Sequence, residues 1–308
     1  MGALELSFRY FRQLQPKLQE KFPDLYPRMA IGMAGNGSEC FGYDDEQSRD
    51  HDWGAEFTVW LLPEDAGQTE AVFRFLQEQK KLHLEFPFKN RSAHYVGAEV
   101  QTTEDFFRGL IGCPGVPQSN TQWLQAPQEN LAMTVNGEVF YDGPGAFTAT
   151  RESLKKGYPE DVRLKKLAAR CMGLAQTGQY NYLRSARRSQ TVTCHVVLAK
   201  FIQEATGFVF LLNREFMPYY KWQQRRLREL PLLGKETADA LEALVAAQNS
   251  KSAEEISGMM EALCVKFADE LRRQNLSTET DNFLALHGPM IQSKIRDERL
   301  RALPPQYG

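Results

Sequence analysis

Long apolar runs are missing from this chain. No stretch of the 308 residues approaches the roughly 20 consecutive apolar residues that cross a bilayer as a helix, so no membrane role is expected. The first residues, Met1-Gly2-Ala3-Leu4-Glu5, lack the basic stretch and apolar core of a secretory signal. Closely spaced cysteines are missing too. The five that occur (Cys40, Cys113, Cys171, Cys194, Cys264) are odd in number and scattered, which argues against a disulfide framework or a structural zinc site and for a reducing cytoplasm. Neither sign of charge dominates. The 37 Lys and Arg against 39 Asp and Glu give a net charge of −2, hence no global drive toward nucleic acid or an anionic membrane. Only local basic runs such as Gln223–Arg228 offer themselves to a phosphate. Internal repeats and low-complexity segments are absent. With 42% hydrophobic and 25% charged residues the composition is that of a globular protein, and the length suggests two domains.

What stands out is one segment, residues 37–52: Gly37-Ser38, eleven residues, then Asp50-His51-Asp52. Apolar strand-like runs, Met29–Met33 and Phe57–Leu62, flank it. In a strand alternate side chains share a face, which would put Asp50 and Asp52 on one side and His51 on the other. Two carboxylates one strand repeat apart suit a hard cation such as Mg²⁺, or Mn²⁺, which takes a few carboxylate oxygens, retained waters and substrate phosphate oxygens. A Gly-Ser turn upstream supplies backbone N–H donors, one hydroxyl and no obstructing side chain. Together they point to phosphoryl or nucleotidyl transfer. Either motif alone is weak, since turns and exposed loops carry both by chance.

The same residues resemble the signature of the nucleotidyltransferase superfamily that includes DNA polymerase beta and the kanamycin nucleotidyltransferases. Ser48-Arg49-Asp50-His51-Asp52-Trp53-Gly54, Gly137-Glu138-Val139-Phe140 and Pro218-Tyr219-Tyr220-Lys221-Trp222 resemble motifs of an uncharacterised bacterial family of stand-alone proteins with that fold. The resemblance implies an α+β architecture, a small mixed-sheet nucleotidyltransferase domain over 1–150 and a helical domain over 151–308 that closes the cleft. It implies Mg²⁺-dependent transfer of a nucleoside monophosphate from an NTP, ATP first among them, to an acceptor it does not identify. It also implies a third acid on a later strand. Glu99, in Val96-Gly97-Ala98-Glu99-Val100, is best placed, with Asp44, Asp45 and Asp142 as runners-up.

Periodicity divides the rest. Leu4–Phe22 has helical spacing at Leu6, Phe8, Phe11, Leu14 and Leu18, and ends before Pro23. Arg28–Met33 reads as a buried strand, Asp50–Leu62 as the strand carrying the acids, and Glu64–Lys81 as a helix burying Val72, Phe73 and Leu76. His94–Thr102 is a strand candidate, Thr103–Ile111 a short helix and Gly112–Gln128 a loop. Asn136-Gly137 within Leu131–Tyr141 is a two-residue hairpin signal. After about Thr150 the segments 161–176, 184–216, 235–249 and 253–274 are all helical in period, with breaks at Pro218 and Pro231.

As for roles, Ser38 beside the Gly37 backbone would donate to a β- or γ-phosphate. Ser48 and Arg49 precede the acids, and Arg49 either reaches a phosphate or forms a surface ion pair. Cys40 is read as a small buried side chain and His51 as a hydrogen-bonded core histidine. Arg184, Arg187 and Arg188 form a solvated face or a cleft wall. Lys221, held between tyrosines and Trp222, is assigned to the cleft. Arg188 and His195 are spaced too far apart for the Arg–His pair of ribonuclease toxins. Two other classes compete with the enzyme: a non-catalytic nucleotide or partner binder, and a toxin–antitoxin module that nucleotidylates its partner.

Overall fold

A computed structural model describes residues 1–49, 52–89 and 99–308. They form two compact units, Met1–Lys156 and Gly157–Gly308. The first unit opens with helix α1, Ala3–Lys21. Its buried residues Ala3, Ser7, Tyr10, Phe11, Leu14 and Leu18 recur every three or four positions, one stripe of a 3.6-residue helix. Tyr10 and Phe11 pack their rings on Phe57, at centroid distances of 5.4 and 5.9 Å. Phe8, expected on that stripe, is 41% exposed, with ring contacts to Phe140 at 5.4 Å and Phe11 at 6.5 Å.

Among the described residues four strands follow as a mixed sheet: β1 Ala30–Met33, β2 Thr58–Leu61, β3 Val100–Thr102 and β4 Glu138–Asp142, in the order β3-β2-β1-β4. Pairing is antiparallel for β1 with β2 and with β4, and parallel for β2 with β3. All four residues of β1 are buried, as a central strand requires. Helices α2 (Thr69–Leu82), α3 (Thr103–Ile111), α4 (Asn120–Gln125), α5 (Gln128–Val135) and α6 (Ala146–Leu154) complete the unit. Trp60 stacks on Phe147 of α6 at 4.2 Å. The unit runs past the expected 150, to Lys156 just beyond that helix.

Several local expectations are corrected. The acidic strand is short: β2 covers only 58–61, and Asp52 sits in the preceding loop with φ of 52°, so strand alternation does not govern it. Residues 128–135 form α5 rather than a hairpin arm. Gly137, with φ of 67°, is the corner between that helix and β4. Within 112–128, Ser119 caps α4 by accepting from the Gln122 N–H. On α2 the buried apolar residues are Val72, Phe75 and Leu76, while Phe73 is 38% exposed.

The second unit is helical throughout its described length. It comprises α7 (Glu160–Leu174), a π-helical turn (Ala175–Asn181), α8 (Tyr182–Arg187), α9 (Thr191–Leu212), α10 (Tyr220–Glu229), α11 (Gly234–Ala247), α12 (Ala253–Arg273), α13 (Leu284–Ser293) and α14 (Glu298–Ala302). The expected helix 184–216 is broken at 188–190, where Ser189 takes a φ of 57°. Its longer part corrects the expectation about apolar runs. Helix α9 has 22 residues and a mean hydropathy of 1.4, enough to cross a membrane by length and composition. In the fold it is a core helix, with Phe201, Ala205, Phe208, Val209 and Phe210 fully buried.

Candidate functional site

The Gly-Ser turn leaves β1 at Met33. Gly35 and Gly37 take φ of 110° and 120°, a region closed to most side chains, and Ser38 returns to helical angles. The turn is held from the far end of the unit. The Asn136 side chain accepts from the Gly35 N–H at 2.8 Å and donates to the Gly35 carbonyl at 2.7 Å. Gly137 donates to the Cys40 carbonyl at 2.6 Å and passes so close to β1 that a Cβ there would lie 1.9 Å from the Met33 carbonyl oxygen. Arg151, 3% exposed, donates to the Asn136 carbonyl at 2.6 Å, and burial lowers its pKa to about 10. The Ser38 carbonyl accepts from Phe41 and Tyr43, while its half-buried hydroxyl has no hydrogen bond among the described residues.

Beside this turn lies a buried charged cluster that sequence reasoning missed. The Glu39 carboxylate packs against Gly37, where a Cβ would meet it at 2.4 Å, and pairs with Lys89 at 2.5 Å. Glu56 and Asn36 line the same niche, whose free volume of about 10 Å³ has room for about one water. Burial pushes the Cys40 thiol up, as do Glu39 and Glu56, against the opposing pull of Lys89 and Arg151. Glu39 adjoins the Gly-Ser motif and was the one legible member. Lys89, Glu56 and Arg151 come from separate segments and carry no local signal.

The acidic loop is divided. Asp50 and His51 lie outside the described residues. Asp52 is half-buried, in the left-handed conformation that Asp tolerates better than most residues. Its neighbours are committed to structure. Asp44 accepts from the Ala3 N–H at 2.8 Å and the Trp53 indole at 2.9 Å, tying the loop to the start of α1. Asp45 and Ser48 bond each other reciprocally, as a turn does. The Arg49 guanidinium lies 4.8 Å from the centroid of the Trp53 ring, a cation–π contact. Asp142 caps α6, accepting from Gly145 and Thr148.

Glu99 is neither an exposed strand carboxylate nor a free ligand. It is buried at the start of β3, with Oε1 accepting from Lys80 at 2.6 Å and Oε2 from Gln77 at 2.8 Å. Each oxygen thus accepts one hydrogen bond from α2. Among the described residues no three His, Cys, Asp or Glu side chains are grouped to hold a metal ion.

Lys221 and Arg188 belong to the second unit, and both are exposed. Lys221 stands in the first turn of α10, between exposed Tyr220 and half-buried Trp222. The Arg184 guanidinium lies 4.6 Å from the centroid of the Tyr180 ring, and His195 Nδ1 lies 2.9 Å from the Thr191 carbonyl in its own helix.

Residues 123–223 match a family model described as a domain of unknown function, DUF4037. The matched segment, about a third of the chain, includes Asn136, Gly137, Arg151 and the Pro218–Trp222 motif, and stops short of the Gly-Ser turn. No curated protein matches the chain.

Proposed function

We propose that the chain binds a nucleoside triphosphate through its phosphates at the 35–38 turn and transfers the nucleoside monophosphate to an acceptor, in the manner of the nucleotidyltransferase superfamily. The observation that carries this is the turn itself. Gly37 takes a positive φ, the Ser38 hydroxyl has no hydrogen bond among the described residues, and Asn136, which holds the Gly35 N–H and carbonyl, fixes the shape in advance. Preset donors cost no reorganisation when charge arrives, which is where phosphoryl transfer finds most of its stabilisation. Asp50 and Asp52 would hold Mg²⁺ or Mn²⁺, which supplies charge neutralisation and orientation of the phosphates when bound. Arg49 would add positive charge toward the triphosphate. Glu99 has no part in this, being spent on Lys80 and Gln77.

Calorimetric titration of wild type and Ser38→Ala with ATP, ADP and adenosine, with and without Mg²⁺, tests the reading. Ser38→Ala should weaken ATP by about 1 kcal/mol, or up to ~3 kcal/mol for a charged acceptor, and leave adenosine nearly unchanged. Equal weakening of both overturns it. The commitment of Glu99 favours one second reading, phosphate binding without transfer. Incorporation of labelled nucleotide into lysate protein, RNA or small molecules separates the two.

A further inference from the structure

The helical unit contains a pocket that the nucleotide reading leaves unused. It lies among α9, α10 and α11, with a volume of about 450 Å³, inside the range of small-molecule sites. Its walls are apolar: Leu227, Ala238 and Leu241 are buried, and Ile202 and Val245 extend the surface toward the mouth. Two hydroxyls face this apolar body. Thr206, only 4% exposed, lines the pocket, and no described residue gives its hydroxyl a hydrogen bond. Buried Thr177, by contrast, bonds back to the Gly173 carbonyl one turn earlier at 2.7 Å. Tyr220 stands at the mouth, 62% exposed, and its hydroxyl likewise has no partner among the described residues.

Charge narrows the ligand. Glu242 is the one charged residue in the lining, and it already pairs with Arg228 at 2.5 Å and accepts from Gln224. No uncommitted charge is left to bind an anion or a cation, so a triphosphate is disfavoured. The ring of Tyr220 offers a face for stacking, and each hydroxyl can both donate and accept.

We infer that this pocket binds a neutral, mainly aromatic small molecule bearing a hydroxyl or amide that bonds to Thr206 and Tyr220. The site is independent of the nucleotide turn and stands whether or not that turn binds phosphate.

The full-length protein is titrated with 4-hydroxybenzyl alcohol and benzamide as neutral probes, and with benzoate and benzylamine as charged counterparts. Binding is followed by saturation-transfer NMR. The neutral probes should saturate and compete with each other, and the charged pair should bind at least tenfold more weakly. Thr206→Val keeps the side-chain shape and removes the hydroxyl, so both neutral probes should weaken roughly fivefold. Ala246→Trp fills the pocket from an exposed wall position and should abolish binding, with an unchanged melting temperature showing that the fold is intact. If that variant is destabilised, Val245→Trp, at a half-exposed position, fills the same space. Absence of saturable binding, equal binding of the charged probes, or binding that survives a folded Trp variant overturns the inference.

Discussion

Asn136 grips Gly35 by both ends of its side-chain amide, as one strand residue grips another, across 101 positions of sequence. A carboxamide offers a donor and an acceptor on separate atoms, which matches a backbone N–H and carbonyl at once. The shape of the Gly-Ser turn is thus set by a residue at the corner before β4, and that corner is set in turn by Arg151.

Asn136→Asp should break this arrangement while changing size very little. A carboxylate oxygen would then face the Gly35 carbonyl, leaving two buried acceptors without a proton between them. A loss of about 1–3 kcal/mol is expected in urea unfolding. An unchanged midpoint would show that the clamp contributes nothing to stability.

Gly137 and Gly42 make a matched pair, both with φ of 67°. A Cβ on Gly42 meets nothing within 4 Å among the described residues, whereas one on Gly137 meets the Met33 carbonyl oxygen. Gly42→Ala should cost only the left-handed penalty, about 1–2 kcal/mol. Gly137→Ala adds a backbone clash and should cost roughly 1–3 kcal/mol more, or prevent folding. Comparable unfolding midpoints for the two variants would contradict the close approach.

Glu99→Gln separates a structural carboxylate from a catalytic one. Lys80 would keep only Glu56, 3.6 Å away, so stability should fall by roughly 1–3 kcal/mol. Nucleotide affinity at saturating Mg²⁺ should stay within about twofold of wild type. A loss of Mg²⁺-dependent binding with unchanged stability would return Glu99 to the metal site.

His287 should make the helical unit sensitive to acid. It is fully buried, Nε2–H donates to the Asp281 carbonyl at 2.8 Å, and Nδ1 has no partner among the described residues. Burial lowers its pKa below the ordinary 6.5. As pH falls through 6.5 the unfolded imidazole takes up a proton that the folded one refuses, so stability drops, by at most about 1.4 kcal/mol per pH unit. His287→Phe should flatten that slope below about pH 6.5, as read from urea midpoints across the range. An equal slope in the variant would assign the acid sensitivity to other groups.

What the sequence displayed was local. The stripe of α1, the α3 helix over 103–111 and the helical period of the second half are repeats within single segments, and each is present as a helix. Whatever depends on distant partners was not legible. Asn136-Gly137 carries the chemistry of a hairpin turn, yet its partner is a glycine near the start of the chain, and the residues before it coil into α5. The Asp-x-Asp spacing predicted a strand, but Asp44 anchors that loop to α1 through Ala3 and Trp53, and the strand begins only at Thr58. Lys89 pairs with Glu39 across 50 positions, and no periodicity encodes that.

The position of β1 at the centre of the sheet also governs when the unit can form. Its neighbours are β2, which follows soon after, and β4, over 100 residues later, and the register with β4 contains a shift between Ile31 and Gly32. Loop closure over such a distance is unfavourable until the contacts that repay it are made, so chains with pairings of this kind fold slowly. During synthesis the Gly-Ser turn will emerge early but take its final shape late, once Asn136, β4 and Arg151 have left the ribosome. A fragment ending before about residue 135 therefore holds the whole Gly-Ser and acidic segment without the means to shape its turn.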